Sequence, residues 1–86
     1  MGNRKLVEYD KKTLISQGFV ESKNGWIKEK SQSKIEIEVC KKNIWYVRLS
    51  LSSEILGGLF ISTQKELDHA IAGFERIIKE STTYRV

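Results

Sequence analysis

Two alternating runs constrain this chain most: Ile35-Glu36-Ile37-Glu38-Val39 and Trp45-Tyr46-Val47-Arg48-Leu49-Ser50-Leu51. Strict alternation of apolar and polar residues describes a β-strand with one face buried and the other in water. The runs are close enough in sequence to form a hairpin, and residues directly opposite in a hairpin share a face. A two-residue loop at Lys42-Asn43 puts Val39 opposite Tyr46 and Ile37 opposite Arg48, which splits the apolar set. A three-residue loop, Lys41-Lys42-Asn43, pairs Val39 with Trp45, Ile37 with Val47 and Ile35 with Leu49. That loop requires positive φ at Asn43, which asparagine tolerates. The second register is the expected one. It sets Glu36 opposite Arg48, Glu38 opposite Tyr46 and Cys40 opposite Ile44, all on the outer face.

The flanking segments predict one short helix before the strands and a longer one after them. Asp10 can cap a helix over Lys11–Gln17, with Gly18 at the following position where φ is positive and Phe19 folding back on Leu14 and Ile15. Upstream, Lys5–Tyr9 reads either as a short strand or as an extra helical turn. Asn24-Gly25 is a hairpin signal with two registers open: a two-residue loop pairing Lys23 with Trp26, or a three-residue loop pairing Ser22 with Trp26. Gly57-Gly58 reads as a tight turn, or as the end of a loose loop before a last strand from Leu59 to Ser62. Thr63 followed by Glu66 forms a capping box. Leu67, Ala70, Ile71, Phe74, Ile77 and Ile78 then recur at helical spacing and must bury against the sheet. Gly73 inside that stripe suggests close packing, and the tail Ser81–Val86 is expected to fray. The fold class is therefore α+β: a short N-terminal helix, a four- or five-stranded antiparallel meander, and a C-terminal amphipathic helix packed on one sheet face.

Eighty-six residues suffice for a single domain with one small core. One cysteine, Cys40, excludes an intrachain disulfide and fits a reducing compartment. No apolar run reaches the ~20 residues of a membrane span. The first ten residues lack the apolar segment of a secretory signal, and Leu6 breaks the myristoylation pattern. A cytoplasmic protein is expected. Fifteen Lys and Arg against eleven Asp and Glu leave +4, which favours acidic partners only mildly.

The residue inventory argues against catalysis. Metal binding needs several imidazole or thiolate ligands, and the chain has one His and one Cys. His69 falls off the apolar stripe, on the far side of the sheet from Cys40, so no nucleophile–base pair is expected. Glu36 and Glu38 lie about 7 Å apart on one strand face, but that face is no cleft and Arg48 neutralises it. No catalytic residue, metal or cofactor is expected.

Two binding modes are readable. Ile44, Tyr46 and Arg48, with Cys40 beside them, make an apolar, aromatic and basic row on the outer face, and these side-chain types are common at protein interfaces. The leading expectation is a small protein-binding module that regulates or inhibits a larger partner, a plain accessory role of the kind phage-encoded antagonists fill. The alternative is a nucleic-acid accessory domain that uses hairpin-tip Lys23, Trp26, Lys41 and Lys42 for phosphate and base stacking. Carboxylates Glu36 and Glu38 make the sheet face itself a poor phosphate platform. A homodimer built on the outer face or an edge strand is a third expectation. Tyr84 and Val86 loosely match a C-terminal peptide ligand.

Overall fold

The structure, a computed structural model, describes residues 5–83. Leu6–Glu8 form one 3-10 turn, so the upstream segment is helical rather than extended. Helix α1 spans Lys11–Ser16, with Gln17 at its C-cap. Asp10 caps α1 by accepting from the Lys12 amide at 2.9 Å. Gly18 follows at φ +96°, and the Phe19 amide returns to the Leu14 carbonyl at 3.0 Å. Strands β1 (Val20–Ser22), β2 (Gly25–Lys30), β3 (Ser33–Lys41), β4 (Ile44–Leu51) and β5 (Glu54–Ile61) lie in sequence order in one antiparallel sheet. Helix α2 spans Gln64–Thr83 and packs across β3 and β4.

The central register is the expected one: Val39 faces Trp45, Ile37 faces Val47 and Ile35 faces Leu49. The way the chain reaches it differs. Lys41 pairs with Ile44 around a two-residue turn, and the register shifts between Val39 and Lys41. Cys40 is thus the extra residue of a β-bulge and does not oppose Ile44. The bulge absorbs the odd residue, so Asn43 keeps negative φ. Both parities survive: the core set stays together, and the turn tightens.

Two glycine signals point elsewhere than to turns. Lys23 and Asn24 make the β1–β2 turn, with Ser22 opposite Gly25 and Glu21 opposite Trp26, so neither register expected at Asn24-Gly25 forms. Gly25 begins β2, where a Cβ would overlap the Ile37 carbonyl of the neighbouring strand. Its lack of a side chain serves close backbone approach. Gly57 and Gly58 lie inside β5, neither in a turn nor in a loose loop. The reversal before β5 falls on Ser52 and Ser53, at φ 53° and 68°. Two positive φ values mark the turn type whose twist matches the flanking strands, and for serine each costs roughly 1–2 kcal/mol. The turns at each end of the sheet are tied together: the Val39 amide donates to Asn24 at one end, and the Ser52 amide donates to Gln32 at the other.

One core lies between the sheet and the helices. Leu6, Leu14, Phe19, Trp26, Ile35, Ile37, Trp45, Val47, Leu49, Ile61, Leu67, Ala70 and Ile71 are buried in it. Phe74 and Ile78 are packed against its margin, but Ile77 is exposed and Gly73 faces open space. The apolar stripe of α2 therefore seats tightly only in its first half. Its second half leaves a cleft of about 1020 Å³ at the β2–β5 end, lined in part by Ile35, Leu51, Leu56 and Ile78. Lys28 spans this side: its Nζ donates to Glu75 of α2 at 2.6 Å and stands 5.8 Å from the Phe19 ring centroid. Tyr9 donates to Asp68 at 2.9 Å, and burial followed by that carboxylate pushes its phenol up to about 12. Trp45 Nε1 is buried without a partner among the described residues, which costs about 1–3 kcal/mol. The tail expected to fray is helical as far as Thr83, and Tyr84 and Val86 lie outside the described residues.

Helix α2 starts as its sequence predicts. The Glu66 amide donates to Thr63 Oγ1 at 3.2 Å, and Glu66 Oε1 accepts from the Thr63 amide at 3.2 Å and the Ser62 amide at 2.7 Å. The Ser62 amide is the main cause holding the Glu66 carboxyl below its usual value of 4.5.

Three substitutions test this packing. Gly25→Ala should destabilise the fold by about 1–3 kcal/mol, because the clash is with backbone that cannot rotate away; urea unfolding measures it. Thr63→Ala should cost about 1 kcal/mol. Because the folded state depresses the Glu66 carboxyl, its contribution is present above the usual glutamate value and fades as pH falls through the folded one. Glu66→Gln should therefore flatten the wild-type loss of stability on acidification below about pH 4.5, read by thermal unfolding across pH.

Candidate protein-contact surface

The outer face of the sheet is the side away from α2, and no described element covers it. Alternation and register decide what stands on it. Across the middle run Val20, Ile27, Glu36, Arg48 and Gly58, each opposite the next. One step along, Glu38, Tyr46 and Phe60 form a second row. A third joins Lys34, Ser50 and Ile55.

Arg48 is held locally. Its Nε and Nη2 both donate to Glu36 Oε1, at 3.1 and 2.8 Å. Both bonds end on one oxygen, so the geometry is forked rather than bidentate. Those bonds and the carboxylate charge raise the guanidinium above its ordinary range, and Arg48 stays charged. The second Glu36 oxygen receives no bond from Arg48.

Tyr46 lies with its ring across Gly58, where a Cβ would collide with the phenol. Its centroid is 4.8 Å from that of Phe60, at an interplanar angle of 54°. Such tilted cross-strand pairs are worth about 0.5–1.5 kcal/mol beyond the area they bury. Phe60 itself is 67% exposed. Ile55 and Ile44 are exposed on the same face, and Leu56 and Leu59 are exposed along β5. The outer face therefore has a charged centre at Glu36–Arg48 and an apolar, aromatic margin at β5.

The structure sorts the expected contact residues into two groups. Ile44, Tyr46 and Arg48 do share the outer face, and Cys40 is exposed at the bulge beside them. Phe60 and Ile55 belong to this surface and were not expected there, because β5 was not read as one strand. The signal was present: Ile55–Ile61 is apolar at both parities, which an antiparallel strand with one wet face does not need. Lys23, Lys41 and Lys42 come together at one end of the sheet, in the tied β1–β2 and β3–β4 turns. Trp26 does not join them. It is 6% exposed and part of the core, so it offers no ring for a base. Lys28 is engaged with Glu75 on the inner side. Among the described residues no group of three His, Cys, Asp or Glu is placed to hold a metal, and no helix is long and apolar enough to cross a membrane.

Comparison with family models, with curated proteins and with solved structures returns no match. The surface has to be read from its own chemistry.

Gly58→Ala should push the Tyr46 ring off the strand, since the obstructing atoms are the free end of a side chain. The fold should persist, and nuclear Overhauser contacts between the Tyr46 and Phe60 rings should weaken sharply. Retained ring contacts would show that Gly58 is not what seats Tyr46.

Proposed function

We propose that this chain is a small non-catalytic module that acts by protein contact through its outer sheet face, regulating or inhibiting a larger partner. The observation that carries the reading is exposed Phe60 paired with half-buried Tyr46 on a face left uncovered by every described element. Exposed large apolar side chains clustered on a wet sheet face are costly to keep unless something covers them. Tyr46 and Arg48 also match the residue types that dominate interface energetics. The Glu36–Arg48 pair supplies a polar element with unused acceptor capacity beside the aromatic margin. A partner with an apolar knob and a nearby donor fits this arrangement.

The lysine end supports the nucleic-acid alternative less well. Lys23, Lys41 and Lys42 are close to one another, but the ring expected among them is buried. Phosphate attraction without stacking gives weak, salt-sensitive association.

The test is a partner recovered on tagged protein and then titrated. Tyr46→Ala with Phe60→Ala should weaken that binding by about 30-fold or more, as loss of a hot spot does. Lys41→Ala with Lys42→Ala should leave it within about threefold. Unchanged affinity in the aromatic double variant overturns the reading. Labelled single- and double-stranded DNA and RNA should show no binding at roughly 50 mM salt. A steep salt slope that disappears in a Lys23, Lys41 and Lys42 triple alanine variant would move the function to nucleic acid.

A further inference from the structure

The two edges of this sheet are unlike. Edge strand β1 is three residues long and carries Glu21, with Lys23 at its end. Short, charged edges resist pairing with another chain. Edge strand β5 is eight residues long, and after Glu54 it has no charge, no proline and four exposed large apolar residues: Ile55, Leu56, Leu59 and Phe60. Every second residue of such a strand turns its N–H and C=O away from its one neighbour. Among the described residues β4 is the one strand paired with β5.

We propose that the free edge of β5 pairs antiparallel with β5 of a second copy of this chain, joining two five-stranded sheets into one. Three features favour a second copy over an unrelated strand. The first is register. A two-fold axis perpendicular to the sheet keeps both outer faces on one side, so opposite residues must have the same parity. β5 is irregular where the pairing shifts between Leu49 and Ser50, which leaves Gly57–Ile61 as its regular stretch. That stretch is centred on Leu59, so self-pairing about Leu59 uses all of it and satisfies parity. Gly58 then faces Phe60 of the second copy, and the open space beside Gly57 faces its Ile61. The second feature is charge. Antiparallel pairing brings Glu54 of each copy toward the far end of β5 in the other, where Lys65 follows and Lys5 is bridged to Thr63. The third is closure. Only one edge is adhesive, so association stops at two copies instead of growing into a filament.

The interface is small. The four exposed side chains offer roughly 400 Å² per copy, or about 800 Å² in total, below the roughly 1,000 Å² of a stable interface, so the dimer is a weak one that should dissociate on dilution. The pairing does not rest on the outer-face reading: its hydrogen bonds are made by backbone at the edge, and Phe60 alone belongs to both surfaces.

Sedimentation equilibrium from about 1 to about 500 µM should show the mass rising from one chain to two and no further. Leu59→Lys sets two ammonium groups opposite each other at the two-fold and should weaken dimerisation by more than about tenfold, with the circular dichroism spectrum unchanged. Leu59→Cys in a Cys40→Ser background should crosslink on mild oxidation, because residues on the axis have Cα atoms about 4.5–5.5 Å apart, within disulfide reach. A Lys30→Cys control in the same Cys40→Ser background, on β2 and three strands from β5, should dimerise without crosslinking. A wild-type chain that remains monomeric across the whole range overturns the proposal. So does a dimer that crosslinks no better through position 59 than through position 30.

Discussion

The β3–β4 hairpin is the constraint on which the rest of this structure hangs. Ile35, Ile37 and Val39 must share a face with Leu49, Val47 and Trp45, or the core divides between two sides of a sheet. A one-residue slip would expose the whole set, a loss of several well-buried side chains worth about 1.5–3 kcal/mol each. That penalty is far larger than the local cost of any turn. The chain accordingly accepts a bulge at Cys40 and, among the described residues, leaves Trp45 Nε1 without a partner to keep the register. Helix α2 then has one surface to cover, and its capping box starts it beside the end of β5.

The same alternation that builds the inner face also defines the outer one. Glu36 and Arg48 meet because Ile37 and Val47 do, and Glu38 meets Tyr46 for the same reason. A structural ion pair therefore accounts for where Arg48 stands on that face. Tyr46 is different, since its ring lies toward β5, over Gly58 and beside Phe60, and away from Glu38. The apolar character of the outer face is concentrated where the sheet also runs out of hydrogen-bonding partners. A face that attracts and an edge that pairs meet along one strand.

Much of the fold was legible because burial imposes periodicity. The α1 cap at Asp10, the central register, the capping box and the Leu67–Ala70–Ile71 contact all follow from spacing and local chemistry. What failed shares a cause. Sequence points to turn or loop positions for Gly25, Gly57 and Gly58, because positive φ is the commonest local use of glycine. Each instead serves a strand, and Gly25 and Gly58 leave room for something from a neighbouring strand: the Ile37 carbonyl in one case, the Tyr46 ring in the other. Ser52 and Ser53 carry the turn although serine is a poor candidate for it, since paired strands on both sides force the reversal there. Trp26 was assigned to a hairpin tip because its face depended on a register that sequence left open.

Sequence by itself determined the class of fold, the partition of β3 and β4 into wet and dry faces, and the start of α2. Those depend on parity and on contacts within a few residues, which a linear pattern contains. Tertiary structure alone decided that β5 runs unbroken through two glycines, that Phe60 joins Tyr46 while Trp26 withdraws, and that one edge of the sheet is long, apolar and without a strand beside it among the described residues. Each of these depends on which atoms another strand brings within a few ångströms, and spacing along one strand does not record that.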